Sequence, residues 1–286
     1  MITTPLVLRD QLVCWRVRVV SKAAPTDHVL ATFTDPARRV AVAVPASPEE
    51  LLGLPGANEA ADEWLFLLIP SGSTSLASWW SRAERWMRAP AEGRDTSTVE
   101  LALNGDRVLW QPRRMVVEGA LERLDDLVRA LVHVAFQERD LQQLEREVEV
   151  EWPVCEADIS LTHQVGPKEL QRWGHVNACT ERAARRRMRY TRLADRLAIP
   201  PQGSSTVTSR WMTELTRRTG VEQRLEQLDD RLEVVEDVYE LANDRLSEYR
   251  YFRIECFIEI VVAGLLLAEL VLMGWELYVT YAHLGG

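Results

Sequence analysis

The chain is 286 residues long and acidic, with a formal net charge of −9 at pH 7. That balance argues against general nucleic-acid binding and sequence-specific DNA recognition, although a local basic face can still hold phosphate. Cys14, Cys155, Cys179 and Cys256 are scattered, with no C-x-x-C pair and no framework of short spacings, so a disulfide scaffold is excluded and reduced thiols are expected.

The first residues, MITTPLVLRDQLVCWRV, lack a basic segment leading into an apolar one, so no cleavable secretory signal is expected. From there the pattern is strand-like. Residues 12–20 (LVCWRVRVV), 28–34 (HVLATFT), 39–44 (RVAVAV) and 63–69 (EWLFLLI) are short, rich in β-branched and aromatic side chains, and bounded by Pro, Gly, Asp and Ser. Residues 75–88 (SLASWWSRAERWMR) read as an amphipathic helix that Pro90 ends. In 99–110 (VELALNGDRVLW), Asn104-Gly105 supplies the positive φ that a tight hairpin turn requires between two alternating strands. These elements predict an α+β domain over 1–112, built around antiparallel hairpins.

Beyond Gln111-Pro112 the period becomes helical. Leu121, Leu124, Val128, Leu131 and Ala135 predict a helix running toward Glu149 and ended by Trp152-Pro153. A second helix is expected over 168–197, between Gly166-Pro167 and Pro200-Pro201, completing a helical domain over 113–201. The linker PPQGSST then leads to a helix entered near Thr206 or Ser209 and loosened at Gly220. Within 202–252, Val221, Leu225, Leu228, Leu232, Val235, Tyr239, Ala242, Leu246 and Tyr249 alternate steps of three and four, the a/d stripe of a coiled coil. Such a seam suits either the chain's own helices or other subunits. As an oligomer seam it rests on Leu225, Leu228, Leu232, Val235, Tyr239 and Leu246.

The chain then turns apolar. Residues 257–278 read FIEIVVAGLLLAELVLMGWELY, close to the roughly twenty residues that a helix needs to cross a ~30 Å hydrocarbon layer. One transmembrane helix is predicted over 253–280, with a tail at 281–286. Arg245, Arg250 and Arg253 precede it and no Lys or Arg follows residue 278, so the body is expected on the cytoplasmic side of the inner membrane. Trp275, Tyr278 and Tyr281 suit the far headgroup layer. Glu259 lies near the entry and Glu269 deeper, where an ionised carboxylate costs about 2.5–3.5 kcal/mol. Glu269 is accommodated most simply by protonation or by pairing inside a helix bundle. Glu255, Glu269 and Glu276 differ by multiples of seven and share a helix face. In a symmetric oligomer such a stripe forms carboxylate rings of the kind that cation pores use.

Signatures of catalysis are missing: there is no G-x-S-x-G, P-loop, G-x-G-x-x-G or H-E-x-x-H. No catalytic, cofactor-binding or metal-ligating residue is assigned on this basis. His175 and Cys179 stand four apart on a predicted helix, a ligand-like spacing without a second pair, for which ordinary packing is expected. His133 lies in an apolar stretch and reads as a satisfied helix histidine. The basic run ERAARRRMRYTR spreads Arg182, Arg185, Arg186, Arg189 and Arg192 around one helix. Guanidinium forks suit phosphate, in RNA or anionic lipid. Antiparallel pairing with Glu138, Asp140, Glu145, Glu147, Glu149 and Glu151 of the preceding helix competes with that reading.

The order of parts resembles a known family. A hairpin with Gly before a V-x-W-type second strand (ALNGDRVLW), an acidic-tailed helix, the Arg-rich helix and RLEVVEDVYELANDRLSEYRYFRIE closing into an apolar span are similar to the Required-for-Meiotic-Nuclear-Division family, the YagE-like domain of unknown function. The similarity runs from about Val99 to the C-terminus. It departs at the span, which begins Cys256-Phe257-Ile258-Glu259 instead of Trp and a run of Ile. The resemblance implies an α/β N-terminal part, a helical C-terminal part, one C-terminal span, homo-oligomers and, from mitochondrial members, support of translation at a membrane. It carries over no catalytic residue. The expectation is a non-enzymatic, single-pass homo-oligomeric scaffold or tether, bound to the bilayer and to a cytoplasmic protein or ribonucleoprotein partner. The competing expectation is an oligomeric membrane effector or cation channel using the acidic stripe.

Overall fold

The computed structural model describes residues 12–33, 38–48, 63–71, 77–88, 98–163, 165–198 and 204–284, apart from the side chains of residues 77 and 276–284. Pro90 and the linker residues Pro200 and Pro201 lie outside the described residues. The chain divides into two compact units, Met1–Glu145 with Tyr190–Leu228, and Arg146–Arg189 with Asp229–Gly286.

The first unit is built on a seven-stranded sheet. Its strands are β1 (Val13–Val20), β2 (His28–Phe33), β3 (Arg39–Ala46), β4 (Glu63–Pro70), β5 (Val99–Leu103), β6 (Asp106–Trp110) and β7 (Arg114–Gly119), in the order β2-β3-β1-β4-β7-β6-β5. Neighbours are antiparallel except β4 and β7, which run parallel. β4 is central and covered on both sides, which accounts for its unbroken apolar run. Trp64, Phe66 and Leu68 join one core, while Leu65, Leu67 and Ile69 join the other. Helix α1 (Ala77–Arg88) covers the second of these with Ala83, Trp86 and Met87. The first is covered by α2 (Leu121–Asp158), through Leu124 to Phe136, and by Trp211, Met212 and Leu215 of α4 (Thr206–Arg218).

The β5–β6 turn carries positive φ at Asn104 (56°) and Gly105 (85°), as Asn-Gly predicts. The next residue ties this hairpin to the following helix. Asp106 is wholly buried, and its carboxylate accepts from Ala120 N at 3.1 Å and from Nε and Nη2 of Arg123 at 2.8 Å each. A Cβ on Gly119 would lie 2.9 Å from Asp106 Oδ1, so the close approach requires glycine.

β7 was not expected: a domain boundary at residue 112 falls between β6 and β7. Gln111-Pro112 marks a tight turn instead, closed by Gln111 N donating to the Arg114 carbonyl at 2.9 Å. β7 has one local partner, β6, across that turn, and one long-range parallel partner, β4, with Leu67 opposite Val116, a pairing that no local period reveals.

A second correction concerns Pro153. α2 does not end at Trp152-Pro153 but continues to Asp158. Proline removes one helix hydrogen bond, to the carbonyl of Glu149, but both residues are exposed, so water can satisfy that carbonyl while buried Cys155 and Asp158 hold the next turn. A 3₁₀ turn at Ile159–Thr162 follows. Another, Glu169–Arg172, precedes α3 (Trp173–Ala198). Ser205 caps α4, its Oγ accepting from Thr208 N at 3.1 Å. Gly220, at φ 65°, separates α4 from α5 (Val221–Leu284), giving two helices where one loosened helix was expected.

The second unit has its own core: Cys155, Leu161, Val176, Cys179 and Ala183 meet Val235, Tyr239, Ala242 and Leu246 of α5. The predicted seam is therefore internal. Leu228, Leu232, Val235, Tyr239 and Leu246 are buried by this chain, and Leu225 is half-buried. They do not form an open face for another subunit, because a one-sided apolar stripe is covered by whichever helices the fold supplies first.

Candidate functional site

Up to Leu246, α5 buries one stripe of side chains. Beyond it the helix continues but the cover ends: among residues 250–275 only Cys256 is partly shielded. The most apolar part of this segment is not buried anywhere along its length. It is one helix long and apolar enough to cross a membrane. Glu255, Glu259 and Glu269 are exposed on it, and among the described residues none has an ion-pair partner. Trp275 is exposed at the far end, whereas the side chain of Glu276 lies outside the described residues.

The Arg-rich face of α3 is engaged. Arg182 pairs with Glu151 at 3.1 Å, Arg186 with Glu151 at 2.5 Å and Glu147 at 3.8 Å, and Arg189 with Glu147 at 2.7 Å. Arg187 bonds Asp229, and Arg185 bonds Glu181 one turn back at 2.5 Å. Arg192 also has a contact within the fold. Of the two readings that the sequence left in competition, the antiparallel pairing of the Arg-rich helix with Glu147 and Glu151 is the one formed by Arg182, Arg186 and Arg189. Glu151 is only 6% exposed, and a carboxylate so placed requires its cations.

In the first unit, Arg224 closes a similar pairing, with Glu138 at 2.5 Å and Glu145 at 2.6 Å. Burial alone pulls its guanidinium down, but Glu145 and Glu138 outweigh burial and leave it raised. Nearby, a cleft of about 420 Å³ is lined by Thr32, Asp126, Arg129, His133 and Ser205. Burial, reinforced by Arg129, pushes His133 down to about 4, so it is neutral at pH 7.

The second unit contains a buried polar cluster at the end of α2. Asp158 is 1% exposed, and its Oδ2 meets His175 Nε2 at 2.9 Å. Its other oxygen accepts from Arg172, and Tyr239 Oη approaches Oδ2 at 3.5 Å. Cys179, one turn beyond His175, places Sγ 3.6 Å from the same Nε2 and accepts from Arg182 Nη2 at 3.1 Å. Burial pushes Cys155 up to about 11, with Asp158 and Glu151 adding to it, and raises Tyr239 in the same way. The i, i+4 spacing of His175 and Cys179 was readable in the sequence. Asp158 and Tyr239 were not, since each reaches the cluster from another helix. A sharper signal was available in Asp158 itself, an acid one turn beyond buried Cys155 at the end of an apolar stripe.

No protein-family model matches the chain, and no curated protein matches it.

Proposed function

We propose that this is a single-pass membrane protein whose folded body serves as a non-enzymatic scaffold or tether on the cytoplasmic side of the inner membrane. The carrying observation is the bare end of α5, about 25 residues of exposed apolar helix continuous with the helix at the core of the second unit. The bilayer is the occupant whose thickness matches that length. Arg245, Arg250 and Arg253 on the body side set the orientation. With the seam internal, contact between copies falls to the span, where Glu269 has no partner among the described residues and a second copy supplies one. The resemblance to the YagE-like family directs the search for a partner to the translation machinery at the membrane.

The test compares the full chain with a truncation ending at Arg250. The full chain should stay with membranes after a high-salt, alkaline wash and be larger than a monomer in detergent, while the truncation should be soluble and monomeric. A full chain released by the wash refutes the anchor; a truncation that assembles as well as the full chain refutes assembly through the span. The second reading, a cation-conducting oligomer, is motivated by Glu255, Glu269 and Glu276 on one face of α5. It requires cation flux in liposomes that Glu269→Gln abolishes; no flux, or flux indifferent to that change, eliminates it.

A further inference from the structure

Asp158 Oδ2 and Cys179 Sγ converge on one edge of one ring. They lie 2.9 and 3.6 Å from the same atom, His175 Nε2, and Nδ1 is further from the sulfur at 4.0 Å. A nucleophilic relay of Cys, His and Asp uses opposite ring nitrogens, the thiol on one and the carboxylate on the other. This geometry does not permit that relay. A single Nε2–H donates one strong hydrogen bond, so it does not hold both neighbours, and Sγ takes its hydrogen bond from Arg182 Nη2. A cation between the three atoms satisfies all of them at once.

We propose that Asp158, His175 and Cys179 form a site for a zinc-class divalent metal ion, with three protein ligands and a fourth position open to water. The three donor atoms lie within 4.8 Å of one another. In a tetrahedral site with bonds of about 2.0–2.3 Å the donors stand roughly 3.3–3.8 Å apart, so closure requires side-chain shifts of an ångström or less. The donor set, one carboxylate oxygen, one imidazole nitrogen and one thiolate sulfur, is borderline in softness and selects zinc over magnesium or calcium. His175 and Cys179 share a face of α3, and Asp158 enters from the end of α2. Two of the ligands are buried, while the His175 side chain is 41% exposed and provides the entry.

The surroundings suit ligands held in place. Tyr239 Oη and Arg172 orient the Asp158 carboxylate, and Arg182 Nη2 donates to Cys179 Sγ at 3.1 Å. Arg172 bonds Oδ1 of Asp158 and leaves Oδ2, the oxygen facing His175 and Cys179, to the cation. On binding, Cys179 releases its thiol proton to solvent and the metal takes the sulfur lone pair; nothing is oxidised or reduced.

The experiment uses the full chain in detergent, stripped with a chelator and titrated with Co²⁺, then Zn²⁺. One Co²⁺ per chain should bind with a sulfur-to-cobalt charge-transfer band, and Zn²⁺ should displace it. Cys179→Ala should abolish the band. His175→Gln, at a half-exposed position and with its melting temperature checked against wild type, should weaken Zn²⁺ binding by at least roughly tenfold. Cys256→Ala should leave both unchanged. The proposal is overturned if the wild type shows no charge-transfer band, if His175→Gln binds as tightly as wild type, or if the band is lost with Cys256→Ala and kept with Cys179→Ala.

Discussion

His133 shows how one side chain couples fold to solution conditions. It sits on α2 with its ring edge-on to Phe33, 5.1 Å between centroids, and lines the cleft beside Arg129. Its folded value of about 4 lies below the ordinary 6.5. Between those two values the unfolded chain binds a proton that the folded chain does not. Stability is therefore fully present above about pH 6.5 and declines as pH falls toward about 4, by up to about 3 kcal/mol from this residue. Denaturant melts of the full chain at pH 7 and pH 4.5 should show the decline, and His133→Gln should reduce it; equal slopes for the two proteins would remove His133 as the cause. The sequence pointed to a histidine on an apolar helix face, but its depressed affinity rests first on burial, with Arg129 adding to it, and the ring that packs against it, Phe33, is a hundred residues away in sequence. Asp106 makes the same point. Asn104-Gly105 announced the turn, yet nothing local announced that the next acid would be buried and hold the start of α2.

Among the elements, periodic ones were legible and long-range ones were not. The four early strands, α1 and the hairpin emerged within a few residues of their expected bounds, because alternation and turn chemistry are local properties. β7 was missed because Gln111-Pro112 was read as a boundary and not as the turn between β6 and β7, and because its other partner lies nearly fifty residues earlier; Pro153 was over-weighted because a proline on a solvent face disturbs a helix less than one in a core. The stripe on α5 was found correctly and its partner left open. Since Leu246 is wholly buried against the chain's own helices, Leu246→Ala should destabilise the fold by roughly 2–5 kcal/mol and leave the mass of the assembly in detergent unchanged. Dissociation without loss of melting temperature would show that the stripe also joins subunits.

At the scale of the whole molecule, the apolar end was legible because membrane-spanning capacity is a property of length and composition. The pairing of the Arg-rich helix was legible as one of two readings, because the acidic residues of the preceding helix were in view; which of them meet the arginines, Glu147 and Glu151, required the packing. The consequence that remains concerns phase. α5 is a single 64-residue helix, about 96 Å of axis at 1.5 Å per residue, and it serves as a shaft whose angular setting is fixed at one end by the buried stripe ending at Leu246. Whatever direction that stripe faces, the azimuth of Glu255 and Glu269 follows from it. One alanine inserted after Arg253 turns everything beyond by about 100°, whereas seven residues turn it by nearly two full rotations and restore the heading to within about 20°. If the acidic stripe has a fixed neighbour, the single insertion should disperse the full-length assembly in detergent and the seven-residue insertion should restore it. If both behave alike, the shaft anchors the body without aiming it.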